Sequence, residues 1–201
     1  MKTQESKMTF PKRQITIYTE VNPNPNSMKF MLNFMLLEEG ESFDFPTLES
    51  TKPSPLAKEL FGFDFVDRVF YMANFVTITK KDNTEWEEIV PKLKPFFQAY
   101  FEEEKDVFSK DVSVEINTDA TDTEDVKKIK GVLDEYIRPA VEMDGGAIQF
   151  HSFSEETGVL KVLLQGSCSG CPSSTITLKS GIENLMHRMV PSVKEVVAEG
   201  V

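Results

Sequence analysis

Thiols are scarce in this chain. Cys168 and Cys171 are the only cysteines in 201 residues, which excludes a disulfide framework; a close pair in a reducing compartment more often binds metal or does redox chemistry. Long apolar runs are missing as well, since nothing approaches the roughly 18 apolar residues that a membrane-spanning helix needs. Met1–Phe10 has neither the apolar centre of a secretory signal nor the Arg-rich, acid-poor make-up of an organelle presequence, so the expectation is a cytoplasmic protein. Positive charge is also short. With 22 Lys and Arg against 33 Asp and Glu the net charge is −11, which suits neither nucleic acid nor an anionic membrane as partner, because both demand clustered cations.

What is present is ordinary for a soluble globular protein, 40% hydrophobic and 27% charged residues, in a chain long enough for one or two packed cores. The charge is unevenly placed. Residues 102–125, "EEEKDVFSKDVSVEINTDATDTED", hold ten acids against two lysines and few large apolar side chains, too few to offset the entropy of ordering them. An acidic, extended linker is therefore expected over 102–123, between one domain at 1–101 and a second at 124–201. The alternative is that "VSVEI", 112–116, docks as a short strand.

Strand-like alternation at 15–20, the turn "NPNPNS" at 22–27 and an apolar run at 28–36 predict a hairpin-like start. Ser54-Pro55 caps a short helix that ends at Gly62, and strands are expected at 65–70 and 75–80. Thr84 and Glu87 read as a capping box for a helix whose aromatic stripe, Trp86 to Tyr100, is core, with Pro91 and Pro95 kinking it or dividing it in two. In the second half, Thr121 and Glu124 read as another capping box, for a helix that stops near Pro139. Asp144-Gly145-Gly146 is a turn, 147–153 and 159–165 form an antiparallel pair, a helix runs from Pro172 to Pro191, and a strand at 193–198 closes the chain. The fold class is α+β: two small domains, each a small, mostly antiparallel sheet packed with helices and joined by the acidic linker.

The chemistry concentrates in 166–174, "GSCSGCPSS", at a strand-to-helix junction. Unpaired N–H groups and the positive end of the helix dipole favour thiolates there. Gly166 and Gly170 allow close backbone approach, and Ser167, Ser169, Ser173 and Ser174 offer hydroxyls to sulfur. Both cysteines are expected in a loop outside the core. Three uses compete. A thiol-disulfide oxidoreductase would cycle the pair through a disulfide, although no Trp precedes it and the proline follows the second cysteine. A zinc site lacks two ligands within one chain, His151 and His187 being far off in sequence, so it would need a zinc-bridged dimer. An iron–sulfur cluster would draw four thiolates from two copies of the chain related by a two-fold axis; such an exposed, shared cluster suits carriage and release better than permanent electron transfer.

The segments "IRPAVEMDGGAIQF", "LLQGSCSGCPSSTITLKSGIE" and "VPSVKEVVA" resemble the C-terminal domain of NifU-like (Nfu) proteins. "TEVNPNPNSMKF" with "SPLAKELFGFDFVDRVFYMANFVTITK" resembles the N-terminal domain that precedes it in many of them. The resemblance implies a non-catalytic carrier that receives a [4Fe-4S] cluster, with [2Fe-2S] as the other cluster type, from an upstream scaffold. It would bridge the cluster between two subunits of a homodimer through Cys168 and Cys171 and pass it to apo-protein clients. Asp144, Gly145 and Gly146 would help to shape the pocket.

Overall fold

The structure, a computed structural model, describes residues 14–38, 40–109, 122–169 and 172–200. Two sheets divide the chain into two domains. In the first, β1 (Ile17–Val21), β2 (Ser27–Leu32), β3 (Ser42–Phe45), β4 (Val66–Met72) and β5 (Phe75–Lys80) form a five-stranded antiparallel sheet in the order β1-β2-β5-β4-β3. The short helix α1 (Pro55–Leu60) is capped by Ser54, whose Oγ accepts from the Ala57 amide at 3.1 Å. Strand β3 had no counterpart in the sequence reading, since four residues are too few for alternation to register.

Helix α2 (Trp86–Glu102) crosses one face of this sheet as a single 17-residue element. The expected division at Pro91 and Pro95 does not occur, and both prolines lie inside one continuous helix. They are exposed, so the carbonyls that lose a partner face water, while Ile89, Leu93, Phe97 and Tyr100 are buried on the opposite side. A helix-interior proline costs about 3 kcal/mol, and each buried side chain of this size contributes about 1.5–3 kcal/mol, so the packed face outweighs the two breaks. The capping box is also absent. Glu85 is the cap residue without a side-chain bond, and Thr84 Oγ1 instead donates to the Lys81 carbonyl at 3.1 Å.

The first part of the acidic stretch packs against this domain: Tyr100 Oη donates to the Asp106 carbonyl at 2.6 Å, the Ser109 amide to the Pro53 carbonyl at 2.9 Å, and Val107 and Phe108 lie on the core. Most of the expected linker, and the alternative strand 112–116, lie outside the described residues.

The second domain opens with α3 (Glu124–Val132), capped by Thr123 rather than by Thr121, which is outside the described residues. The helical path does not stop at Pro139. A π-helical turn at Leu133–Ile137 leads into α4 (Arg138–Met143), where Pro139 sits in the first turn. A first-turn proline loses no intrahelical bond, so the local change of winding lets the path continue. Then come β6 (Gly146–Ser154), β7 (Val159–Gly166), α5 (Pro172–Met189) and β8 (Glu195–Gly200). β6 pairs antiparallel with β7, and β8 lies parallel to β7 on its other edge. Ile129, Val141, Leu160, Val162, Leu164, Ile182 and Met186 form the core between sheet and helices.

β2, β4 and β5 are covered on both faces. Phe30, Val69, Tyr71, Val76 and Ile78 point to α2, whereas Phe70, Met72 and Phe75 point the other way and meet Ala147 of the second domain. The two domains are thus packed together through the open face of the five-stranded sheet.

Candidate metal centre

Strand β7 delivers the chain to the turn Ser167–Ser169, and α5 begins at Pro172. Gly166 ends the strand at φ +61, a left-handed conformation for which glycine is favoured. A β-carbon there would also stand 2.8 Å from the Gly145 carbonyl oxygen and 2.8 Å from the Phe70 ring. The Asp144-Gly145-Gly146 turn faces this junction. Gly145 adopts φ +78, and a β-carbon on Gly146 would fall 2.6 Å from the Gln165 carbonyl oxygen and 3.0 Å from the Cys168 sulfur. Ser167 ties the two segments, its Oγ donating to the Asp144 carbonyl and its amide to the Gly145 carbonyl at 3.3 Å.

Cys168 is 5% exposed and belongs to the apolar core of the second domain. The expectation that it lies outside the core is corrected, because the turn folds inward and Gly146 leaves room for the sulfur. Ser167 Oγ is 3.8 Å from Cys168 Sγ. The thiol borders a cavity of about 360 Å³ walled by Ala140, Val141, Asp144, Thr177 and Leu178, with Pro23 of the first domain also lining it. Gly170 and Cys171 lie outside the described residues. His151 and His187 are exposed and serve local contacts, His151 Nδ1 with Ser152 Oγ at 3.2 Å and His187 Nε2 with the Lys194 carbonyl at 3.0 Å. Among the described residues no group of three or more His, Cys, Asp or Glu side chains is placed to hold a metal ion.

Residues of the first domain also reach the cysteine turn, and sequence reasoning missed them. Asn24 Nδ2 donates to the Ser167 carbonyl at 2.9 Å, Thr77 Oγ1 to the Gly145 carbonyl at 2.8 Å and Lys29 Nζ to the Met143 carbonyl at 2.9 Å. Asn24 belongs to the "NPNPNS" turn, where its Oδ1 also accepts from the Asn26 amide at 3.0 Å. Beside them Asp44 pairs with Arg68 at 2.7 Å. Burial pushes the Asp44 carboxyl up from 3.8 to about 6, opposed by the Arg68 guanidinium and by the Gly166 amide. Asp44 Oδ1 has no partner at hydrogen-bonding geometry, so that amide acts on it as a nearby dipole. The available signal was the run 69–78, in which apolar residues do not alternate with polar ones, the mark of a strand pair covered on both faces.

These features define a two-domain α+β protein in which Cys168, one of the two cysteines in the sequence, sits on the turn after β7 with a glycine turn packed beneath it. Residues 17–104 match the family model described as "Scaffold protein Nfu/NifU N terminal", and residues 129–197 match the "NifU-like domain". The chain is 40% identical over 195 residues to NifU-like protein 5, mitochondrial, of Arabidopsis thaliana, covering 94% of this chain and 69% of the relative. It is also 40% identical over 188 residues to the NFU1 iron-sulfur cluster scaffold homolog, mitochondrial, of Drosophila persimilis, covering 92% and 65%. A solution structure of a NifU-like protein from Saccharomyces cerevisiae matches 54% of this chain and 96% of its own at 25% identity and a TM-score of 0.45. The chain belongs to the NifU-like (Nfu) family. The cytoplasmic expectation is corrected by these relatives, which are mitochondrial by name; it rested on the make-up of ten residues, which carries no information on where the folded domains work.

Proposed function

We propose that this protein is a non-catalytic iron–sulfur cluster carrier. Cys168 and Cys171 each supply one thiolate, and a second copy of the chain supplies the other two, so that a [4Fe-4S] cluster is held between subunits. The single observation behind this reading is that the chain has two cysteines and no others, three positions apart in the sequence, whereas cubane clusters take four thiolates. The similarity to the iron-sulfur cluster scaffold homolog of Drosophila persimilis supports it.

In this reading the cluster is cargo. The glycine turn beneath Cys168 leaves room beside the sulfur, and the N-terminus of α5 favours negative charge at the loop. A cluster shared across an interface is bound by few protein bonds per chain, which suits receipt from a scaffold and release to apo-protein clients. The acidic segment tethers the domains and keeps each near what the other binds.

Anaerobic reconstitution of the full chain with iron and sulfide tests this. The expected product is a brown dimer with about four irons and four acid-labile sulfides per pair of chains, as four thiolates per cluster require. Protein that stays colourless and monomeric overturns the reading. Zinc without labile sulfide in oxygen-free preparations would make it a zinc-bridged dimer, and metal-independent disulfide turnover an oxidoreductase.

A further inference from the structure

The "NPNPNS" turn and the open sheet face have no part in holding a cluster, yet they are directed at the cysteine turn. We propose that the first domain is a cap on this turn, and that the capped chain and the cluster-bridged dimer are mutually exclusive states. The proposal rests on the carrier reading and adds its regulation.

Three side chains of one domain meet three main-chain carbonyls of the other: Asn24 with Ser167, Thr77 with Gly145 and Lys29 with Met143. Two of the acceptors, Gly145 and Ser167, lie in the turns that frame Cys168, and the third, Met143, ends the helix that leads into the glycine turn. Asn24, Thr77 and Ser167 are buried by this contact surface, and Phe70, Met72, Phe75 and Ala147 form its apolar part. Pro23, next to Asn24, lines the cavity that Cys168 borders.

A bridging cluster needs the cysteine turn of a second copy to face this one across a two-fold axis. The 22–27 turn stands on the approach to the sulfur, and by symmetry the second copy brings its own. Both caps must therefore leave before four thiolates can converge. Three hydrogen bonds, one of them from the Lys29 ammonium, and an apolar patch of four side chains make a contact of limited size that can open between domains, and the tether returns the cap once the cargo has gone. Because binding and capping draw on the same turn, whatever strengthens the cap weakens cluster retention by the same factor. The cap thus biases a loaded carrier toward giving up its cluster.

Two isosteric changes loosen the cap and keep its shape. Asn24→Asp retains the oxygen that the Asn26 amide needs and sets a carboxylate against the Ser167 carbonyl; Thr77→Val removes the hydroxyl. In a Cys171→Ser background Cys168 is the only thiol, and its rate of labelling by a disulfide reagent reads capping with no metal present. The double change should speed labelling by about tenfold, as expected for two lost hydrogen bonds, with far-ultraviolet circular dichroism unchanged; an unchanged rate overturns the cap. In the chain with both cysteines, amide hydrogen exchange at 23–31 and 70–77 should quicken when the cluster-loaded dimer forms. Exchange as slow as in the metal-free chain overturns the exclusivity. A chain that takes up no cluster while labelling still responds overturns the carrier reading and leaves the cap standing.

Discussion

Gly146 lies so close to Cys168 that a β-carbon on it would stand 3.0 Å from the sulfur and 2.6 Å from the Gln165 carbonyl. The backbone contact cannot be relieved by a rotamer change, so β6 and β7 must separate at their first pair, Gly146 with Gly166. Gly146→Ala is expected to destabilise the chain by about 1–3 kcal/mol and to reduce cluster uptake by displacing the thiol. Urea unfolding and iron content check it; unchanged values of both would refute it.

Cys168→Ser places a hydroxyl in an apolar core. An imperfectly paired buried hydroxyl costs about 1–3 kcal/mol, so this variant should lose both the cluster and measurable stability. Cys171→Ser should abolish the cluster as fully. Visible absorbance after reconstitution, together with melting temperature, separates the two effects.

Asp44 gives the stability a pH dependence of definite sign. Its folded value of about 6 lies above the unfolded 3.8, so the folded chain keeps a proton that the unfolded chain has already released. This contribution is fully present below the unfolded value and is lost as pH rises through about 6, by about 3 kcal/mol in all. Asp44→Asn removes that dependence. Unfolding of both chains at pH 4 and pH 7 should show the variant gaining on the parent by about 2 kcal/mol at the higher pH, the rest having gone below pH 4, and a difference that stays constant would sink the assignment.

Pro91 sits on the exposed face of α2 with a missing amide donor. Pro91→Ala restores the bond and the helix propensity, about 3 kcal/mol, less about 1 kcal/mol for the freer unfolded chain. A stabilisation of about 2 kcal/mol is expected in chemical denaturation. A loss of stability would mean that the proline shapes the helix.

Element type was largely legible in the sequence, because period and capping signals are local: Ser54 caps α1, and the hairpin of β6 and β7 follows its alternation. The capping boxes at Thr84 and Thr121 and the stop at Pro139 were misread. In those cases the start of a helix, or its continuation past a proline, was decided by which side chains the rest of the fold buries, as with the exposed prolines of α2. At the site, the glycine turn and cysteine turn could be placed near each other, but the inward fold of Cys168 could not. Neither could Asn24, Lys29 and Thr77, since a donor aimed at a main-chain carbonyl 143, 114 or 68 positions away leaves no pattern in the chain.

The strand leading to Cys168 is held on one edge by β6 and on the other by β8, at the far end of the chain. A frameshift or premature stop after Pro191 would spare both thiols and both turns at the site, yet strip that strand of its parallel neighbour. Damage to the codons for 195–200 would therefore be felt at the cysteine turn, and a lesion mapped to this strand should be scored as one of the site itself.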